Sequence, residues 1–241
     1  WAERSSGSHL FIEPGVYYLY QTDKFNNNLA MTQPLRSAPP GRPKDPEKRA
    51  AILDAAKALF PARGYDGVSM DAIAQYAGVS KLTVYSHFQD KDTLFVEAVK
   101  AKCEDLLPSD LFVARFEGPI RGQLLRIAHA FFRLITSDEA ISIHRIMSRQ
   151  LPEDSPLPRM FWEAGPKRTQ EAFAAFLEAE DAAGELRVPD PTLAASQFFC
   201  LLKGEYHARL LCGCPERYAP ADVDAHVDAT VDLFLRAYAP R

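Results

Sequence analysis

The sequence predicts an all-α fold, and three observations support this prediction. From Pro46 onward, apolar residues recur at three- and four-residue spacing, which is the period of an amphipathic helix. The segments are separated by Ser, Asp, Gly and Pro, the residue types that begin and end helices. No segment shows the strict alternation of a half-buried strand, and we find no internal repeat.

Composition limits the classes of protein that the chain can represent. Hydrophobic residues make up 47% and charged residues 25% of the 241 residues, which is typical of a globular protein. The net charge of -4 provides no general attraction for a polyanion, so nucleic-acid binding requires a local surface. No apolar run reaches the roughly 18 residues of a membrane span, and FIEPGVYYLY lacks the layout of a signal peptide. We therefore expect a cytoplasmic protein with no membrane partner.

Three parts of the chain differ in composition. Residues 1–39 form a leader and a flexible arm, and we interpret residues 1–30 as an appended or mis-started segment. Residues 40–107 contain short helices joined by tight polar turns, which predicts a compact domain. Residues 108–241 begin with a linker and continue as longer helices, which predicts a second helical domain.

The first helix is bounded by clear signals. Asp45 is a predicted N-cap, Pro46 suits the first turn, and Gly64 marks the C-terminal end. Pro61 is expected to end or bend the last turn, because proline removes a backbone donor. The face that we expect to be buried consists of Ala51, Ile52, Ala55, Ala56, Leu59 and Phe60.

The segment GVSKLTVYSHF and the helix before it have the features of a helix-turn-helix. Ser69 and Ser80 are predicted N-caps of two short helices, and Gly78 between them tolerates a positive φ. Asp90 is the predicted cap of a fourth helix. The outer surface of the second short helix can contact phosphates and base edges in a major groove, and it carries Lys81, Leu82, Thr83, Tyr85, Ser86 and His87.

Residues 48–95 resemble the N-terminal DNA-binding domain of the TetR/AcrR family of transcriptional regulators. The matching elements are I-L-x-A-A-x-x-L-F, the R-G-Y turn, S-x-x-x-I-A-x-x-A-G-V-S, and T-V-Y-x-H-F followed by K-D-x-L. The segment from FWEAGPKRTQ to FFCLLKG resembles the AefR-like branch of C-terminal domains. The resemblance implies a cytoplasmic homodimer whose helical C-terminal domain binds a small ligand and thereby releases DNA.

The resemblance also assigns roles to individual residues. Leu82 and Thr83 stand where family members contact bases, and Lys91 matches a lysine that holds a phosphate beside free amides. Asp71 would repel phosphate unless a cation pairs with it. The DNA-binding residues expected in the helical part are Ser69, Ser80, Lys81, Leu82, Thr83, Tyr85, His87 and Lys91.

A basic arm precedes the first helix. In the segment GRPK, Arg42 and Lys44 flank a proline, and such an extended strip suits a minor groove. A solvated tail explains the same four residues equally well, so both interpretations stay open.

The second domain carries the candidate effector site. An apolar and aromatic wall with few polar groups favours a mostly hydrophobic ligand that bears one or two hydrogen-bonding groups. We expect no cofactor. The predicted ligand-binding residues are His129, Phe132, His144, Met147, Phe161 and Trp162.

The last two long helices are expected to join two subunits in a four-helix seam. Their long apolar faces, together with the low affinity of one short recognition helix, predict a homodimer. The residues that suggest the seam are Phe198, Phe199, Leu201, Leu202, Val227, Val231, Phe234 and Leu235.

Two alternatives remain for the function. Cys212 and Cys214, with His207 and His226, could form a metal or thiol sensor, although C-x-C is tighter than the usual spacing of zinc ligands. The chain could also be a helical ligand-binding protein with a vestigial DNA-binding domain. An enzyme is not expected, because we find no Ser-His-Asp grouping, phosphate loop or paired carboxylates in an apolar setting.

Overall fold

The computed structural model describes residues 11–13, 16–18, 45–113, 118–148, 153–214 and 219–240, and the chain divides into two units, residues 1–43 and 44–241. In the first unit, strands β1 (Phe11–Glu13) and β2 (Val16–Tyr18) pair antiparallel, with Phe11 opposite Tyr18. The sequence analysis predicted no strand here. Three residues in each strand are too few to produce a recognisable alternation.

The described residues of the second unit form helices joined by turns and loops. A single 3-10 turn, Ser109–Phe112, follows the fourth helix. The helices are α1 (Pro46–Arg63), α2 (Met70–Tyr76), α3 (Lys81–His87), α4 (Lys91–Leu106), α5 (Ile120–Thr136), α6 (Asp138–Met147), α7 (Leu157–Ala164), α8 (Pro166–Ala182), α9 (Pro191–Leu211) and α10 (Pro220–Tyr238).

The predicted N-caps are confirmed for the first four helices. The side chains of Asp45, Ser69, Ser80 and Asp90 each accept a hydrogen bond from a backbone N–H in the first turn. The amide of Thr93 holds the pKa of the Asp90 carboxyl below its usual value, because it stabilises the charged form. These caps fix where each short helix begins.

Pro61 was expected to end or bend the last turn of α1, and it does not end the helix. The helix continues to Arg63 and ends at Gly64, whose N–H donates to the carbonyl of Phe60 at 3.0 Å. Proline lies in the last turn, so the helix loses only one internal hydrogen bond there. The buried apolar face holds the turn in place, since Leu59 and Phe60 both lie in the core.

Two hydrophobic clusters build the core of the second unit. The first contains buried residues of α1, α2, α3 and α4 together with Leu157 of α7. Met147 and Phe161 pack against it. The second joins α5, α8, α9 and α10 around Phe173 and Phe198. The division of the helical part at residue 107 stays a prediction, because α6 and α7 contribute to the first cluster.

The backbone of α9 is interrupted at Gly204, which the sequence analysis did not anticipate. This glycine has φ +44° and ψ −149°, so the helix breaks into two segments. Nε2 of His226 in α10 lies 3.0 Å from the carbonyl oxygen of Leu202, one of the carbonyls that such a break releases. A Cβ added at Gly204 would lie 3.3 Å from Cε1 of His226.

A carboxyl group is buried in the core without a hydrogen-bond partner among the described residues. Glu180 is fully buried on the face of α8 that also carries Phe173 and Leu177. Burial raises the pKa of this carboxyl, with a further contribution from the charge of Glu185. The protonated form therefore fits the core better than the charged form.

We expect Glu180→Gln to stabilise the protein at alkaline pH. A group whose pKa is raised in the folded state contributes to the free energy of unfolding in full below its unfolded-state pKa. This contribution is lost as the pH rises through the folded-state pKa. Thermal unfolding should show a gain of about 1–2 kcal/mol near pH 8 and almost none near pH 4. Glu178→Gln, at an exposed position of α8, is the control and should change little. An equal gain at both pH values would contradict this account.

Candidate nucleic-acid interface and ligand cavity

The turn between α2 and α3 holds the two helices at a fixed angle. Gly78 adopts φ +67°, a left-handed conformation that favours glycine, and the N–H of Val79 donates to the carbonyl of Ala74 at 3.0 Å. Ser80 then caps α3. Val84 is fully buried, so the opposite face of α3 is directed to solvent.

The outer surface of α3 carries the residues that the sequence assigned to DNA. Leu82 is 80% exposed and Tyr85 is 43% exposed, so both are available to base edges or phosphates. Lys81 is also exposed, whereas Thr83 is half-buried, with Oγ1 2.8 Å from Oγ of Ser80. The surface therefore combines one large apolar contact with hydroxyl groups.

The end of α2 adds a residue that sequence reasoning missed. Tyr76 is 62% exposed, and its orientation was not predictable from the sequence, because α2 is too short to establish a clear face. His87, at the other end of the motif, is only half-buried in the last turn of α3. Ser69 retains its capping bond to the amide of Ala72.

The one acidic residue that the sequence analysis flagged in this region is paired. Oδ1 of Asp71 lies 2.8 Å from Nζ of Lys81, and both side chains are exposed. The hydrogen bond and charge of Asp71 raise the pKa of the Lys81 ammonium. The pair joins α2 to α3 and neutralises a lysine of the recognition helix.

Lys91 is held by the turn after α1. Its Nζ donates to the carbonyl of Tyr65 at 3.1 Å and lies 4.1 Å from the centre of that ring. The Tyr65 hydroxyl is hydrogen-bonded to Asp92. A phosphate contact by Lys91 stays a prediction, as do those of Arg42 and Lys44, which lie outside the described residues.

A cavity lies between the helices of both clusters. It has a volume of about 110 Å³, and residues of α1, α4, α5, α6, α7, α8 and α9 line it. We call it the central cavity. Its wall is mostly apolar and contains five phenylalanine rings, from Phe60, Phe95, Phe131, Phe161 and Phe199.

Two of the six predicted ligand-binding residues line the central cavity. These are His144 of α6 and Phe161 of α7, whose rings meet edge to face with 5.2 Å between their centres. Nδ1 of His144 lies 2.8 Å from the carbonyl oxygen of Ala140. Burial lowers the pKa of His144, because the neutral ring is easier to desolvate.

The other four predicted residues do not line the central cavity. Phe132 is buried against aromatic rings of α9 and α10, and Met147 packs on the first cluster. Nδ1 of His129 lies 3.9 Å from a carboxylate oxygen of α10. Trp162 is exposed, because the residue before it on α7 already occupies the buried face.

The contribution of α1 and α4 to the wall was also missed. Ala56, Pro61 and Val99 line the cavity, yet their sequence pattern is that of core residues. Apolar residues recur at the same spacing along a helix whether its face borders a cavity or a packed core. No local signal could therefore have distinguished the two.

The ionisable groups of the cavity wall differ in how they are paired. Nζ of Lys57 bridges Asp54 and Asp105 at 2.9 and 2.7 Å, and Nζ of Lys102 lies 3.4 Å from Glu139. Lys203 has no ion pair with any described residue.

Two features bear on the alternative of a metal or thiol sensor. No three histidine, cysteine or acidic side chains of the described residues are grouped closely enough to hold a metal ion. Cys103 lines the cavity, and burial raises the pKa of its thiol to about 11, which disfavours the reactive thiolate. Cys212 and Cys214 lie at the end of α9, and a thiol role for them stays untested.

The capped α2 and α3, the glycine turn between them and the exposed surface of α3 place the protein among helix-turn-helix DNA-binding proteins. Residues 52–98 match the family described as bacterial regulatory proteins, tetR family. Residues 122–240 match the AefR-like transcriptional repressor C-terminal domain. The chain belongs to the TetR family of transcriptional regulators.

Known relatives agree with this assignment. A TetR-family transcriptional regulator from Mesorhizobium loti is 30% identical, with a TM-score of 0.69, and the match covers 80% of this chain and 98% of that chain. The flavonoid-responsive regulator FrrA is 32% identical, with a TM-score of 0.65, over 82% of this chain and 100% of FrrA. The family match and these structures confirm the predicted helical fold. They also confirm the prediction that the chain is a DNA-binding regulator and not an enzyme.

A curated relative matches over a shorter segment. The HTH-type transcriptional activator FasR of Mycolicibacterium smegmatis is 35% identical over 96 residues, which is 40% of this chain and 43% of FasR. The chain thus spans less than half the length of this relative.

Among the helices that the structure describes, none combines the length and apolar character needed to cross a membrane.

We expect Asp71→Asn to increase the affinity for DNA of any sequence, because it releases the Lys81 ammonium for a phosphate contact. The slope of log affinity against log salt should steepen by about one unit. Fluorescence anisotropy with operator and random duplexes over a range of salt concentrations measures both effects. Glu178→Gln removes the same charge from α8 and is the control. An unchanged slope would show that Lys81 stays away from phosphate in the complex.

Proposed function

We propose that this chain is a cytoplasmic, homodimeric repressor that releases its operator when a small, mostly apolar ligand enters the central cavity. The AefR-like repressor match supports repression, while FasR, named as an activator, shows that relatives differ in this respect. FrrA is described as flavonoid-responsive, which supports control by an aromatic ligand.

The observation that carries the proposal is the shared wall of the central cavity. Ala56 and Phe60 of α1 and Phe95 of α4 line it together with residues of α5 to α9. The same α1 and α4 support α2 and α3 through the first cluster. A ligand that fits one arrangement of these helices better than another shifts their equilibrium and hence the position of α3.

Ion pairs at the cavity connect the same elements. Lys102 of α4 pairs with Glu139 of α6, and both residues line the cavity. Lys57 of α1 pairs with Asp105 of α4, so these two helices are also linked to each other. The first pair links α4 to α6 at the cavity wall, and the second links α1 to α4.

We assign the dimer strip to exposed leucines of α9 and α10. Most residues that suggested the seam from sequence are buried within the subunit, including Phe198, Phe199, Leu202, Val227, Val231 and Phe234. The residues left for a partner are Leu193, Leu201 and Leu233, each more than 40% exposed. A second copy that covers this strip supplies the second recognition helix that a two-fold operator requires.

We expect the double substitution Leu201→Glu and Leu233→Glu to produce a monomer, because it places charges on the strip. Operator binding should fall at least tenfold, roughly the loss of one recognition helix from the complex. Sedimentation velocity at micromolar protein measures the oligomeric state. Trp162→Glu introduces a charge at an exposed aromatic residue of α7 and should leave the dimer intact. A monomer in the wild-type protein would overturn this part of the proposal.

Thr169→Phe tests the effector role, because it fills part of the central cavity. Thr169 lines the cavity and is only half-buried, so the larger ring can be accommodated without unfolding the bundle. Anisotropy of a labelled operator duplex, titrated with uncharged aromatic compounds that include flavonoids, should show release from the wild type and from Thr169→Ser. Thr169→Phe should bind the operator normally and resist release. Release that persists at the same ligand concentration would place the effector elsewhere.

A further inference from the structure

We propose that the ligand is an aromatic molecule with a weakly acidic hydroxyl group, and that this hydroxyl donates a hydrogen bond to Nε2 of His144. The inference rests on the proposed function, since it concerns the occupant of the central cavity. It adds the chemical group that the wall recognises.

The tautomer of His144 is fixed by its own helix. Nδ1 lies 2.8 Å from the carbonyl oxygen of Ala140, one turn earlier in α6. A carbonyl oxygen can only accept a hydrogen bond, so Nδ1 must carry the proton. In the neutral ring, Nε2 then has a lone pair and acts as an acceptor.

The surroundings keep the ring neutral. Burial lowers the pKa of His144, and the positive charge of Lys203 lowers it further. His207 lies against His144 with 5.1 Å between ring centres, and burial lowers the pKa of His207 to about 4. Neither imidazole is therefore charged near neutral pH.

Nε2 of His144 is an acceptor without a donor. It makes no hydrogen bond with any residue in the part of the chain that the structure describes, and His144 lies on the cavity wall. Phe161 and His207 both meet the ring edge to face, which holds its orientation. A hydrogen-bond donor on the ligand satisfies this nitrogen.

Lys203 disfavours a ligand ammonium, and the lone pair on Nε2 of His144 disfavours a carboxylate. Lys57 and Lys102 are already paired with carboxylates, whereas Lys203 has no ion pair among the described residues. A ligand ammonium would be repelled by Lys203, and a carboxylate has no proton to offer His144. A weakly acidic hydroxyl donates to His144 while its oxygen gains from the positive charge of Lys203.

The phenylalanine rings of the wall select the body of the ligand. Phe131 and Phe199 lie 4.3 Å apart between ring centres, and both line the cavity together with Phe95. Flat aromatic molecules make edge and face contacts with such rings at little cost in conformational entropy. A phenol combines this body with the required hydroxyl.

The test compares three probes that share one ring system, namely 2-naphthol, 2-methoxynaphthalene and 2-naphthoate. Isothermal titration calorimetry with the full chain near pH 7.5 should show that 2-naphthol binds roughly tenfold tighter than its methyl ether, the contribution of one hydrogen bond. The carboxylate should bind more weakly than 2-naphthol. His144→Phe keeps an aromatic ring and should make naphthol and ether bind equally, whereas His129→Phe, outside the cavity, should preserve the difference.

A second measurement does not depend on any variant. The lowest absorption band of 2-naphthol moves to longer wavelength when the hydroxyl donates to a nitrogen base, and the wild-type protein should produce this shift. Equal affinities of 2-naphthol and its ether for the wild type, or tighter binding of the carboxylate, would overturn the inference and leave the proposed function intact. If none of the three probes binds, the proposed effector role of the cavity fails as well.

Discussion

The packing of α1 against both α4 and α6 is the contact on which the rest of the structure depends. One side of α1 closes the core that positions the recognition helix, and residues such as Ala56 and Phe60 also border the central cavity. Because α1 belongs to both regions, its position cannot change in one without affecting the other. Packed helices exchange between discrete arrangements and do not deform continuously, so a small ligand can select one arrangement of the whole.

The DNA-binding surface depends little on free positive charge. Lys81 is neutralised by Asp71, and Lys91 lies over the ring of Tyr65, so neither ammonium is fully available before DNA arrives. Hydroxyl groups, Leu82 and Tyr85 remain on the outer surface of α3. We expect such a surface to gain less from non-specific attraction, in line with the net charge of -4.

Local features were predictable from the sequence, and features formed by distant residues were not. The caps at Ser69 and Ser80 and the turn at Gly78 each depend on a few neighbouring residues, and the structure has them as predicted. Of the predicted ligand-binding residues, only His144 and Phe161 line the cavity, and α1 and α4 were missed because they show one periodicity whether they border a cavity or a packed core. The break at Gly204 is accompanied by a contact of His226 with the carbonyl oxygen of Leu202, and His226 is far along the chain and on another helix.

The break at Gly204 divides α9 into two helical segments. On one side of the break, Leu193 and Leu201 lie on the strip proposed for the partner, and Lys203 reaches the central cavity immediately before the bend. In the proposed dimer, the two recognition helices must match grooves about 34 Å apart. On a lever of that length, a rotation of about 5° displaces the far end by about 3 Å, enough to lose register with base edges. In the proposed dimer, a change of backbone angle at Gly204 would alter the spacing of the two recognition helices.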